Sequence, residues 1–265
     1  MKVAILIPAR FASSRFPGKP LVGLRGSAGT SKSLIQRSFE AGQRIACASS
    51  VHILTDDDRI QAAAGSFGAS VIMTSPGCRN GTERCAEALP QLGDVDLVVN
   101  LQGDALLTPA NFIDDLVNAM EVDPDAQVAT PAIRLRSREV RALQTEEAAG
   151  RVGGTTVVAD SAGRALYFSK RLIPHLPEKA LEGESSPVRL HVGVYAYRPD
   201  ALRAYAATPP SELEELEGLE QLRFLDVGVP VKIVEVGAPP FALRELNNPE
   251  DIAPIEQALA EAGLE

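Results

Sequence analysis

An α/β fold built on a doubly wound, mainly parallel sheet is predicted by three features of the sequence. Short apolar runs alternate with stretches of helical periodicity through the first half of the chain. The first run, Val3-Ala4-Ile5-Leu6-Ile7, is apolar throughout and stops at Pro8, the pattern of a strand covered on both faces. Near Ser137 the rhythm breaks and the chain becomes charged, then strand-rich. A smaller antiparallel insert is therefore expected within the α/β framework.

The elements follow in order. Residues 32–48 place Leu34, Ile35, Ser38, Phe39 and Ile45 at helical spacing. Val51-His52-Ile53-Leu54 is a strand, residues 57–67 are a helix, and Gly68 is its stop. Ser70-Val71-Ile72-Met73 is the next strand, ending in the turn Ser75-Pro76-Gly77, and 82–89 is helical. Residues 96–101 are the most strand-like run, 109–120 form a helix with Pro109 at its start, and 127–133 form a strand. Past the break, strands at 155–159 and 165–168 flank the turn Asp160-Ser161-Ala162-Gly163. Residues 178–187 read as loop, 192–197 as strand, 213–225 as one acidic helix, 231–234 as strand and 249–262 as a closing helix. This divides the chain into a core of 1–136, an insert of 137–200 and a completion of the core at 201–265.

At 265 residues, 45% hydrophobic and 23% charged, the composition is that of a globular protein. The 35 acidic and 26 basic residues leave a net charge of −9, which speaks against a nucleic-acid-binding surface. No run has the length of a membrane span, and no secretory leader is expected. Cys47, Cys78 and Cys85 lack metal-type spacing with His52, His175 or His191, so reduced thiols in a cytoplasmic protein are expected.

The loop after the first strand carries Arg10, Arg15 and Lys19, with Ser13, Ser14 and Gly18 among them. It leaves the carboxyl end of a strand, where open α/β sheets bind ligands. Three cations there fit a polyanion, most simply a nucleoside triphosphate. Asp104 follows Gln102 and Gly103 at the end of another strand, and a carboxylate at that edge can hold a divalent cation or cap a turn. Asn80-Gly81-Thr82 makes a turn in which Thr82 can cap the next helix, and its amide and hydroxyl groups suit a base or ribose.

These segments, together with Ala165-Leu166-Tyr167-Phe168-Ser169, Gly193-Val194-Tyr195-Ala196-Tyr197-Arg198 and Leu219-Glu220-Gln221-Leu222-Arg223, occur in one order. The chain resembles the 3-deoxy-manno-octulosonate (KDO) cytidylyltransferase family over nearly its whole length. The resemblance implies transfer of a cytidylyl group from CTP to a small acidic sugar with release of pyrophosphate, with Mg²⁺ as cofactor. It implies that Arg10, Arg15 and Lys19 hold the triphosphate. Pro8, Ala9, Ser13, Ser14, Asn80, Gly81, Thr82 and Gln102 would complete the nucleotide site, and Asp104 would hold the metal. On the acceptor side it implies Lys170, His191, Tyr195, Glu220 and Gln221. It implies a homodimer built partly on the insert.

The sequence departs from the family pattern. Ala105 stands where the family has Glu, and Asn247 stands at a second metal Asp, where an amide oxygen ligates without charge. Lys170 replaces an Arg, losing a bidentate grip on a carboxylate, and Gly153-Gly154-Thr155-Thr156 replaces an Asn-x-x-Lys pattern. The segment 26–32 is longer than usual. Weaker metal binding, or binding that leans more on the CTP phosphates, is expected; the nucleotide half is otherwise largely intact and the acceptor is open. Another 2-keto sugar acid, a small phosphonate, or a non-catalytic CTP-binding protein are the alternatives.

Overall fold

The computed structural model describes all residues except Ser13, Ser14, Ala105 and Ala242. β1 (Val3–Pro8) is buried almost end to end. The segment 26–32 belongs to a small hairpin of β2 (Gly23–Arg25) and β3 (Ser31–Ser33). α1 (Leu34–Gln43) starts where Ser33 Oγ accepts the Gln36 N–H. β4 (Ala48–Thr55) leads to α2 (Asp58–Ser66), capped by Asp57, and Gly68 follows it with φ +74°. That left-handed backbone suits glycine and ends the helix. β5 (Ser70–Met73) precedes α3 (Gly81–Ala88). Its cap is Asn80, not Thr82: Asn80 Oδ1 accepts the Glu83 N–H at 2.8 Å. β6 (Leu97–Leu101) is buried at every position, and α4 (Ala110–Val122) begins after Pro109.

β7 (Val128–Arg136) runs directly into α5 (Ser137–Ala148). Only Ser137 and Val140 of α5 are buried, so it carries almost no apolar stripe to read from sequence. β8 (Thr156–Ala159) and β9 (Ala165–Ser169) form the expected hairpin. β10 (Ser185–His191) occupies part of the segment expected to be loop. It begins with polar Ser185 and Ser186 and contains Pro187, all turn signals in sequence, and it tolerates them at an irregular register beside β7. β11 (Val194–Tyr197) follows at once, then α6 (Pro199–Ala206). The single acidic helix expected at 213–225 is two short ones, α7 (Glu212–Glu217) and α8 (Leu222–Asp226). Gly218, at φ +61°, separates them. β12 (Val231–Val236) and α9 (Ile252–Glu261) complete the chain.

The main sheet has ten strands in the order β5-β4-β1-β6-β11-β7-β10-β8-β9, with β12 on β7. β4, β5, β6, β7, β8 and β12 run parallel to β1, and β9, β10 and β11 run against them. β10 and β11 act as two halves of one long strand along β7. β11 stays wedged between β6 and β7, while β10 takes β8 on its other edge. The strands of residues 137–200 therefore extend the central sheet.

Alternation along the strands divides the core. Ile5, Ile7, Val99 and Leu101 meet Ile35 and Phe39 of α1, Ile60 of α2 and Leu116 of α4 on one face. Leu6, Val98, Tyr195 and Tyr197 meet Cys85 of α3, Leu202 of α6 and Phe224 of α8 on the other. Helices on both faces explain why β1 and β6 are apolar throughout. The carboxyl ends of β1 and β6 and the amino end of α3 converge on one rim.

Candidate active site

That rim opens into a cleft of about 1220 Å³ lined by Pro8, Ala9, Arg10, Arg15, Lys19, Asn80, Gly81, Gln102 and Asp104. The same cleft is lined by Lys170, His191, Tyr195, Glu220, Gln221, Glu245 and Asn247. The two groups come from segments far apart in sequence, brought together because β11 inserts beside β6.

The cationic loop is closed by the Gly18 N–H donating to Phe11 O at 2.9 Å. Gly18 has φ +73°, and a Cβ there would stand 3.1 Å from the Phe11 ring. Both facts call for glycine. Arg59 covers Phe11 at 3.3 Å from the ring centroid, and Asp57 grips the guanidinium through both carboxylate oxygens at 3.0 and 2.7 Å. Lys19 Nζ donates to Asp104 Oδ2 at 2.5 Å. Arg15 donates to Asn247 Oδ1 at 2.9 Å, and Arg10 is exposed on the cleft wall. The second glycine of the rim, Gly103, packs so closely that a Cβ would meet Pro8 O at 2.5 Å. Ser38 Oγ donates to Gly103 O at 2.8 Å, pinning the Asp104 loop against the end of β1. Ser13 and Ser14, expected in the nucleotide site, lie outside the described residues.

Asn80 spends its side chain on the helix cap and on donating to Tyr205 Oη at 2.8 Å, leaving its backbone and Gly81 at the cleft. Thr82 departs from expectation. It is fully buried, its hydroxyl pairs with Tyr197 Oη at 2.9 Å, and its N–H donates to Glu220 Oε2 at 3.1 Å. Nothing of Thr82 lines the cleft, because position 82 of α3 faces the sheet.

Glu220 also accepts from Gln102 Nε2 at 3.3 Å, so it ties the amino end of α3 to the strand-end loop of β6. Burial raises its carboxyl above the usual range, and the donation from Thr82 opposes the rise. Gln221 is buried with its Nε2 lacking a hydrogen-bond partner among the described residues. His191 packs edge-on to Phe168 at 5.2 Å and against Tyr195 at 5.4 Å. Burial lowers its imidazole to about 3, so it is neutral in neutral solution. Tyr195 stacks on Tyr197 at 5.7 Å. Lys170 enters through the loop after β9, where Glu217 accepts its backbone N–H at 3.0 Å and the Ser169 hydroxyl at 2.7 Å.

Three contributors were given no role from sequence. Arg223 is buried and donates to both oxygens of Glu214 at 2.6 Å, to Glu83 at 3.1 Å and to the Thr208 carbonyl at 3.1 Å. It bolts α8 to α3 and α7, and so fixes the turn that carries Glu220 and Gln221. Glu245 stands on the cleft wall two residues before Asn247, which donates to it at 3.4 Å. Crowding by protein, then the charge of Asp104, raises the Glu245 carboxyl. An acid beside a position whose expected carboxylate is missing was the available signal. Thr130, under His191, left no signal in sequence at all.

A sequence-family profile described as cytidylyltransferase matches residues 4–233. A 3-deoxy-manno-octulosonate cytidylyltransferase of Maricaulis maris (strain MCS10) is 38% identical over 99% of this chain and 99% of its own length. An 8-amino-3,8-dideoxy-manno-octulosonate cytidylyltransferase of Shewanella baltica (strain OS195) is 40% identical over 98% of this chain and 99% of its own. Among solved structures, a CMP:2-keto-3-deoxy-manno-octonic acid synthetase complexed with CTP superposes with a TM-score of 0.84 at 32% identity, covering 99% of this chain and 100% of that one. The likeness spans sheet and cleft, and the chain belongs to the cytidylyltransferase family of nucleotidyltransferases.

Proposed function

We propose that the protein joins CTP to 3-deoxy-manno-octulosonate, forming CMP-KDO and pyrophosphate. The single observation that carries this is that one cleft gathers two chemically distinct sets of side chains. The Arg10, Arg15 and Lys19 set suits a triphosphate, and the Lys170, His191, Tyr195 and Gln221 set suits an acidic, hydroxylated sugar. In the reaction the sugar's anomeric oxygen attacks the α-phosphorus, the bond from that phosphorus to the β-phosphate oxygen breaks, pyrophosphate leaves, and the hydroxyl proton passes to water. Such a transfer needs alignment and charge neutralisation rather than a protein nucleophile. Arg10, Arg15 and Lys19 neutralise and orient the phosphates, while backbone near Ala9 and Gly81, with Gln102, faces the nucleoside.

Magnesium fits the donor set. Burial, then the charge of Asp104, raises the Glu245 carboxyl, and a cation near the two would favour their ionised forms. Among the described residues no cluster of three acidic, His or Cys side chains forms a cage. An ion here would be bound through one or two carboxylates and substrate phosphates. Asp104, with the Asn247 amide oxygen, would hold it, and it would supply charge stabilisation to the phosphates.

We further infer a cytoplasmic homodimer. Free thiols at Cys47, Cys78 and Cys85 fit a reducing compartment. Exposed Leu166 on the terminal strand β9 offers apolar contact to a second copy. Among the described residues no helix is long and apolar enough to cross a membrane.

Incubation with CTP, Mg²⁺ and a panel of acceptors, scored by pyrophosphate release, tests the reading. KDO is expected to turn over best. Inertness of KDO alongside turnover of its 8-amino analogue or another acid would move the assignment to that acceptor.

A further inference from the structure

Thr130 sits in β7 with no exposed surface. Its hydroxyl lies 2.8 Å from Val194 O, 3.3 Å from Val192 O and 2.9 Å from His191 Nε2. A threonine hydroxyl has one proton to give, and carbonyl oxygens can only accept. The proton therefore goes to Val194 O, the nearest acceptor. A lone pair of Thr130 Oγ1 is left facing Nε2. If Nε2 were also bare, two buried acceptors would face each other with no hydrogen between them, an arrangement proteins avoid. Nε2 therefore carries the hydrogen and donates it to Thr130. A neutral imidazole has one N–H, so Nδ1 is left as an acceptor. Phe168 and Tyr195 hold the ring plane, and His191 lines the cleft.

We propose that Thr130 is a positioning residue that locks His191 in its Nε2–H form, so that Nδ1 presents the cleft with a fixed hydrogen-bond acceptor for a hydroxyl of the sugar. The proposal rests on the acceptor-side reading of the proposed function. It gives the wall a sign: an acceptor-only nitrogen favours a sugar O–H and disfavours a carboxylate oxygen at the same place. A cation of the cleft lining such as Lys170, and not His191, is then left to meet the sugar carboxylate. The ring, neutral and weakly basic, orients the sugar and takes no proton from the attacking hydroxyl.

The first test needs no variant. The chain has three histidines, and ¹⁵N-histidine labelling with long-range ¹⁵N–¹H correlation at pH 7.5 resolves their tautomers, His191 being assigned by the signal lost in His191→Asn. The expected pattern is a protonated Nε2 and a bare Nδ1. A protonated Nδ1 overturns the proposal. The second test is kinetic. Thr130→Val removes the hydroxyl at nearly constant shape. It is expected to raise KM for KDO about tenfold, the scale of one lost hydrogen bond, with kcat and KM for CTP within about twofold. Thr130→Ser is expected to restore KM. An unchanged KM for KDO in Thr130→Val overturns the positioning role. If His191→Asn itself leaves KM for KDO unchanged while the wild-type tautomer is as expected, it is the acceptor-side assignment that fails.

Discussion

Replacing Arg223 with Met removes the buried charge that pairs with Glu214. Arg223 is 1% exposed and gives two charge-assisted bonds of 2.6 Å to Glu214 and one of 3.1 Å to Glu83. Its guanidinium also stacks 3.9 Å from the Tyr205 ring centroid. Met fills much of the volume, so the cost falls on the carboxylate left behind. Glu214 is 8% exposed, and its other partners, Tyr205 Oη and Asn80 Nδ2 at 3.2 and 3.4 Å, are neutral and long. Glu83 keeps Arg79, so it adds little. Breaking a buried pair from one side costs about 3–5 kcal/mol, and for a chain of this size that lowers Tm by roughly 10 °C. Urea and thermal unfolding of wild type, Arg223→Met, Glu214→Gln and the double variant measure it. Neutralising the stranded carboxylate should return part of the loss, so the double variant is expected to be more stable than the sum of the singles. Arg223→Met within about 1 kcal/mol of wild type, or strict additivity, would refute the account of Arg223 as the bolt of this wall.

Asp104→Asn keeps the shape of the rim and removes the carboxylate that meets Lys19. Its kcat is expected to fall at least about a hundredfold, the scale of losing a preorganised electrostatic group, with unfolding nearly unchanged; near-normal turnover takes Asp104 out of the reaction. His191 gives a pH signature. Its folded pKa, lowered by burial to about 3, lies below its unfolded value, so the unfolded chain binds the extra proton between the two. That stabilisation is complete above about pH 6.5 and is lost as pH falls toward 3, with a slope approaching about 1.4 kcal/mol per pH unit. The difference in unfolding free energy between wild type and His191→Asn, followed from pH 7 to 4.5, should shrink with that sign; a flat difference means that His191 is charged in the folded protein.

Much of the framework was legible because it rests on local patterns. Uniformly apolar runs marked β1 and β6, and Gly68 stopped α2 as expected. Two misreadings share a cause: the sequence carried a local cue that tertiary contacts overrode. Ser185, Ser186 and Pro187 read as loop, yet pairing with β7 holds them in β10. The acidic run of 213–225 has helical composition throughout, but Gly218 turns it and the Arg223–Glu214 ion pair fastens the second piece back onto the first. α5 packs too few apolar residues for periodicity to reveal it.

The sequence by itself determined the parallel core, the cationic loop with Arg10, Arg15 and Lys19, and Asp104 at the end of a second strand, because each is written in contiguous residues. Only the tertiary structure decided how those charges are partnered: Lys19 on Asp104, Arg15 on Asn247. It alone withdrew Thr82 into the core and set Thr130 beneath His191. Contacts of that kind join residues dozens to hundreds of positions apart. They are fixed by which strand lies next to which, above all by β11 entering between β6 and β7, and no local pattern in the chain encodes that neighbourhood.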